Sequence, residues 1–239
     1  MRTALRAENL SSVHGNELKE YKLLMFKIMF YLRLNKVRIF NNYTLLGTSN
    51  VQLMSFVTKG DADFPMLSDF FHTSDELQKK QMVMAAATKV ISSRLMPEIQ
   101  RIKDNQIIYF GDTGYNVMVS ETIPDNLNWM LLVTKSNRKT VDTATLLQEV
   151  LTKKNLSTFV GALAVLASDL NPVSAAISTL TTLVAQSVLK IMQNTHDREL
   201  GLLLTSFNRA EHYPNGLRNR EDVPDATGNM RIDYTIFGY

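Results

Sequence analysis

Acid, base or metal chemistry in this 239-residue chain would have to come from four histidines, His14, His72, His196 and His212, and a scatter of carboxylates. The histidines lie on four separate polar segments, and none forms the HExxH pair that would place two imidazoles on one helix face. His212 has the richest surroundings, with Arg209, Glu211 and Tyr213 beside it, and reads as a loop histidine anchoring a polar corner. Asp61, Asp63, Asp104, Asp112, Asp125, Asp222 and Asp225 fall in segments that read as strand-end loops. A hard cation such as calcium wants about six to eight oxygens, so these loop aspartates are the one metal candidate. They match no EF-hand spacing, and Asp is an ordinary turn residue. No cofactor is otherwise expected.

The run Gly111-Asp112-Thr113-Gly114 lacks the lysine and the following helix of a phosphate loop and reads as a hairpin connection. No GxSxG elbow is present, and Gly161 and Gly201 lie within apolar stretches. With no cysteine, thiolate nucleophiles, thiolate metal sites and disulfides are excluded. No residue is therefore assigned a catalytic, cofactor-binding or metal role, and the chain is expected not to be an enzyme.

The elements that must position any site are mostly strands. Thr3 to Leu10 reads as a short strand. Tyr21 to Leu34 is a long one, with Leu24, Phe26, Ile28, Phe30, Leu32 and Leu34 on one face at period two. Val37 to Leu46, Val51 to Lys59, Gln106 to Phe110, Tyr115 to Glu121, Asn128 to Lys135, Leu200 to Asn208 and Met230 to Phe237 follow. Trp129 is expected to anchor the core. Helices interrupt them twice. Thr73 and Glu76 have the spacing of a capping box ahead of the Leu77 to Leu95 run of helix formers. A second block contains Thr140 to Lys153, Ser157 to Asp169, and Val173 to Asn194, with Pro172 suited to the first turn of the last helix.

Between Lys154 and Lys190 the only charge is Asp169. Three readings compete for this stretch. Leu170 to Leu189 is long enough to span a membrane on paper. The pair 157–193 has the form of an amphipathic hairpin that inserts into lipid on a trigger. Its stripes at Phe159–Leu170 and Ile177–Ile191 also suit a hairpin packed on protein. Arg209 to Asp233 is unusually long and polar for a loop, and it suits either salt-bridged contacts to another copy or a solvated loop stitched to its own domain.

The composition, 45% hydrophobic and 21% charged, supports a buried core. The net charge of +3 comes without a clustered basic run, so nucleic acid is not an expected partner. The opening residues from Met1 to Arg6 lack the apolar core of a secretory signal. A cytoplasmic chain, or one released by a non-classical route, is expected, with the compartment otherwise open. Runs of strands broken by blocks of helix argue for α+β. The expected architecture is one domain over residues 1–239, an antiparallel β-sandwich of about eight strands with helical insertions near 73–96 and 140–194. In strand plan it resembles C2-like and jelly-roll sandwiches, by analogy only. The expected function is a non-enzymatic structural or interaction protein that self-associates. The alternative is a membrane-active, lipid-binding or pore-forming protein using the hairpin 157–193.

Overall fold

The computed structural model describes residues 30–45, 47–60, 63–92, 94–95, 98–136, 143–194, 198–214 and 216–238. The expected strand at Thr3 to Leu10, the first part of the Tyr21 to Leu34 strand, His14, Asp61 and His196 lie outside the described residues.

Among the described residues, ten strands form two antiparallel five-stranded sheets. In the first, β1 (Phe30–Ile39) lies between β10 (Met230–Gly238) and the short strands β5 (Ile107–Tyr109) and β6 (Tyr115–Ser120). The far edge of that sheet is β9 (Gly216–Pro224), paired with β10. In the second, β2 (Ser49–Lys59) lies between β7 (Asn126–Ser136) and the short strands β3 (Arg94–Leu95) and β4 (Glu98–Ile102), and β8 (Arg198–Asn208) is the far edge. The expected α+β sandwich is the observed architecture, and β3, β4 and β9 are strands that the reading above did not expect.

Period-two alternation accounts for the first core. Phe30, Leu32, Leu34, Val37 and Ile39 of β1 face Leu53, Val57, Leu127, Trp129, Leu131 and Val133 of the second sheet, all buried. Trp129 is the expected anchor, its indole N–H donating to the Ser55 hydroxyl at 2.9 Å. The opposite faces of β2 and β7 are buried as well. Met54, Phe56, Met130 and Leu132 belong to a second core shared with the helices. This double burial is why Val51 to Thr58 does not alternate cleanly between apolar and polar residues.

The helices make a third layer on the outer face of the second sheet. They are α1 (Pro65–His72), α2 (Glu76–Ser92), α3 (Thr143–Val150), α4 (Lys153–Ala164), a 3₁₀ turn over Val165–Ser168, and α5 (Pro172–Asn194). A one-turn helix α6 (Arg209–His212) follows β8. The first insertion begins earlier than expected. Pro65 has no N–H to lose at a helix start and begins α1. The capping role expected of Thr73 falls to Asp75, whose carboxylate accepts the Leu77 N–H at 2.8 Å. Thr152 caps α4 through the Asn155 N–H.

Two strand boundaries depart from the reading above. Val37 continues β1, which carries a bulge at Asn35 and ends at Ile39, so no separate strand runs from Val37 to Leu46. Gly111 to Gly114 does not join a hairpin. Both β5 and β6 pair with β1 in one antiparallel line, from Arg38 opposite Ile107 to Phe30 opposite Ser120. The glycine run is a bulge within that line. Gly114 has φ +76° and passes so close to Asn35 that a Cβ would lie 2.5 Å from its Oδ1.

Candidate functional site

The described loop aspartates considered above as a calcium candidate have separate partners. Asp63 lies 4.0 Å from Lys59 and 3.9 Å from Lys89. Asp104 accepts the Asn42 N–H at 2.6 Å, and Asp125 faces Arg209 at 4.0 Å. Among the described residues no three His, Asp or Glu side chains come together as a metal site would require. His72 ends α1 and is far in sequence from His212 on α6. Lys59 Nζ donates to Ser120 Oγ at 3.3 Å, a pairing that could activate a hydroxyl nucleophile. That hydroxyl also accepts the Thr122 N–H at 3.2 Å, and Ser120 is buried, so its geometry is that of a strand-end turn.

The Arg209 to Asp233 segment is where the sequence reading and the structure differ most. It is built as α6, β9, a tight turn and the start of β10. Asn208 caps α6 by accepting the Glu211 N–H at 2.8 Å. His212 Nδ1 lies 3.1 Å from the Asn208 amide nitrogen and 3.3 Å from the Asn208 carbonyl oxygen. The polar corner expected of His212 is therefore present. Arg218 donates to the carbonyls of Glu211 and His212 at 2.7 and 3.0 Å, satisfying the end of the turn. β9 is polar because it is an edge strand exposed along most of its length, and charged side chains discourage edge-to-edge pairing.

The turn after β9 fastens the two sheets together. Asp225 Oδ2 accepts the Leu202 N–H at 2.8 Å and the N–H and hydroxyl of Thr227 at 3.0 and 2.5 Å. Its Oδ1 accepts the Met230 N–H at 2.9 Å. Ala226 N–H donates to the Leu202 carbonyl at 2.7 Å. The Asn229 amide spans both sheets, donating to the carbonyls of Asn41 and Leu200 at 2.9 and 2.8 Å. The sheets approach closely at Gly201, where a Cβ would sit 2.8 Å from that of Met230.

Beside this turn the sandwich is open between the edges β8 and β9. A cleft of about 630 Å³ lies there, with Phe207, Tyr234 and His212 among its lining and Arg220, Glu221 and Asp222 on one wall. Its aromatic floor is rigid. Tyr234 meets Trp129 edge-on at 5.4 Å, and Phe207 lies 5.8 Å from Tyr234 and 5.4 Å from His212. Burial raises the Tyr234 hydroxyl above its ordinary pKa, and Arg220 and Arg218 partly oppose that rise.

A second surface is the outer face of the first sheet. Register places Val119 opposite Tyr31, Tyr31 opposite Phe237, and Phe237 opposite Leu217. This makes an apolar row across four strands. Tyr31 and Phe237 stack at 5.1 Å, the Arg33 guanidinium lies 4.0 Å over the Tyr31 ring, and Val119 and Leu217 are exposed at the two ends. Next to the row, Asn35 donates to Thr235 and Thr235 to Asn219, each at 2.8 Å. Lys36 and Asp233 pair at 2.5 Å. No protein-family model and no curated protein matches this chain.

The low-charge hairpin packs on its own sheet and its neighbouring helices. Phe159, Val160 and Leu163 of α4 and Ile177, Leu180, Val184 and Val188 of α5 share a core with Met54, Phe56, Met130 and Leu132 of the sheet. Several of its hydroxyls are satisfied within the helices: Thr181, Thr182 and Ser187 donate to the carbonyls four residues back at 2.7, 3.0 and 2.9 Å. Its exposed large apolar side chains, Val165 and Leu170, stand at the tip. Sequence reasoning missed the apolar row because Val119, Tyr31, Phe237 and Leu217 come from four separate segments. The signal in each was a single outward apolar residue.

Proposed function

We propose that this chain is a non-enzymatic interaction protein that self-associates through the outer face of its first sheet. The observation that carries this reading is the row Val119, Tyr31, Phe237 and Leu217 across four neighbouring strands. Strands lie about 4.8 Å apart, so the row extends roughly 14 Å over a face that, among the described residues, no helix covers. A row of this kind is self-complementary under a two-fold axis, which is how most homodimers form. The hairpin 157–193 is not the contact surface in this reading, because its apolar stripes are spent within the chain. The test is size-exclusion chromatography with light scattering over a wide concentration range. The parent chain is expected to form dimers or larger species, and Val119→Lys with Leu217→Lys to be monomeric. A parent that stays strictly monomeric at high concentration sinks the proposal.

A membrane-active reading retains one specific support, the exposed Val165 and Leu170 at the hairpin tip. In that reading the tip inserts shallowly while α4 and α5 stay packed. Flotation with anionic and neutral vesicles tests it, comparing the parent with Val165→Ser and Leu170→Ser. Equal flotation of parent and variant, or none by either, ends that reading.

A further inference from the structure

Strand β8 has β7 on one side and, among the described residues, no strand on the other. Its outward-facing backbone groups can be assigned one by one. Leu202 turns both its N–H and its carbonyl away from β7, because Asp225 accepts the first and Ala226 donates to the second. Orientation alternates along an antiparallel ladder. The register runs without a break from Leu132 opposite Leu202 to Asn126 opposite Asn208. Leu204, Ser206 and Asn208 therefore face the same way as Leu202. The Asn208 N–H is taken by His212 Nδ1. Leu204 and Ser206 remain, both exposed, with their backbone donors and acceptors directed outward. The Asp225 turn at Leu202 and His212 at Asn208 stand where a neighbouring strand would run, and the stretch between them is open.

The two sides of this open edge differ. Toward the helices is a small hollow of about 110 Å³, lined by Ser178, Thr181 and Thr182 of α5 together with Leu204 and Ser206. Toward β9 is the cleft over Phe207, Tyr234 and His212. Alternate side chains of a strand laid along the edge would point into one and then the other.

We propose that the open edge of β8 takes an extended peptide segment of a partner protein as an added strand. A small side chain enters the hydroxyl-lined hollow by α5, and larger, polar-ended side chains enter the aromatic cleft. A second copy of β8 is a poorer occupant. That strand is 11 residues long, and the Asp225 turn and the His212 cap bound the slot at Leu202 and Asn208. The slot is about 20 Å long at ~3.3 Å per residue. A peptide with a short extended centre can leave the edge at both ends. This site is on the edge of the second sheet and does not use the apolar row of the first, so it stands or falls separately from the self-association proposed above.

The test begins with random heptapeptides displayed on phage and panned on the full chain. The best sequence is then synthesised with single N-methyl groups at each position. Fluorescence anisotropy is expected to show losses of about tenfold or more at alternate positions and little at those between, since each such methyl removes one strand hydrogen bond. Hydrogen exchange is expected to show the Leu204 and Ser206 amides slowed by the peptide, while Leu203 and Thr205, paired with β7, are slow throughout. Ser206→Pro, which removes one outward donor, is expected to weaken binding to a similar degree, and the N-methyl series stands on its own should that variant misfold. Recovery of no peptide above background overturns the proposal, as does N-methyl sensitivity without alternation or protection elsewhere in the chain. Concentration-dependent slowing of Leu204 and Ser206 without peptide would assign the edge to a second copy and equally overturn it.

Discussion

Asp225 holds together more of this molecule than any other single side chain described above. It is buried, and its two oxygens accept four hydrogen bonds from the Leu202, Thr227 and Met230 backbone and the Thr227 hydroxyl. Removing a charged acceptor leaves buried donors unsatisfied at about 1–3 kcal/mol each. Asp225→Ala is therefore expected to cost roughly 3 kcal/mol or more, read as a fall in the urea midpoint without a change in slope. Glu199, on β8, behaves in the opposite sense. Burial first, and then the Asp225 charge, raise its carboxyl pKa above the ordinary value. A carboxyl raised on folding contributes its stability below the unfolded pKa and loses it as pH rises. At neutral pH its ionised form opposes the fold. Glu199→Gln is expected to raise Tm at pH 7, with the difference vanishing below about pH 4.

At the scale of elements, α5 explains the unusual composition of residues 154–190. It is flanked by α1, α2, α3 and α4 and rests on β2, β7 and β8. Between Pro172 and Lys190 only Gln186 and Lys190 are exposed. Pro172–Ile191 is long and apolar enough to cross a membrane, with a mean hydropathy of 1.4. The same composition suits the central helix of a protein layer. Leu180, fully buried, and Leu170, at the bare tip, separate the two roles. Leu180→Ala is expected to cost about 2–5 kcal/mol through transfer and cavity terms. Leu170→Ala is expected to stay within about 0.5 kcal/mol. Thermal denaturation of both variants, side by side, checks the pair. β8 and β9 make a second element-level contrast. Both are edges, but β9 protects itself with Arg218, Arg220, Glu221 and Asp222, whereas the centre of β8 carries Leu204, Thr205 and Ser206.

For the molecule as a whole, three layers depend on one sheet with two buried faces. Alkaline pH probes how firmly its surroundings close. Burial is the main cause of the raised pKa of Tyr213, followed by the Asp125 charge, and the Tyr213 hydroxyl donates to the Pro124 carbonyl at 2.7 Å. Tyr234 is raised by burial too. Lys36 is raised chiefly by its hydrogen bond to Asp233, although a pair so accessible to water contributes little. For each of these groups the sign is the same. Stability is fully present below the unfolded pKa, about 10 for tyrosine and lysine, and is lost as pH rises above it. Global stability is expected to fall steadily above about pH 10. Tyr213→Phe is expected to flatten that fall while costing about 1 kcal/mol at neutral pH for the lost hydrogen bond. Urea titrations at pH 7 and pH 10.5 measure both effects.

The sequence by itself determined what depends on local periodicity and local chemistry. Alternation along Phe30 to Leu34 and Trp129 to Val133 marked the sandwich faces, because side chains on a strand alternate whatever its partner. Pro172 and the spacing of Ile177, Leu180, Val184 and Val188 marked α5 for the same kind of reason. The absence of cysteine settled thiol chemistry outright. Pairing and coverage were decided only by tertiary structure. Gly111 to Gly114 has the composition of a hairpin, yet the strands on either side of it share one partner, β1. Arg209 to Asp233 has the composition of a loop, yet edge-strand pairing to β10 needs hydrogen bonds and only one apolar face. Whether a low-charge helix meets lipid, a second copy or its own sheet depends on what lies opposite it, and that is fixed by contacts between residues far apart in the chain. The row from Val119 to Leu217 and the open edge at Leu204 and Ser206 belong to this second class. The row is assembled by register across four strands, and the edge lies within β8 but is open only because of which strands pair beside it.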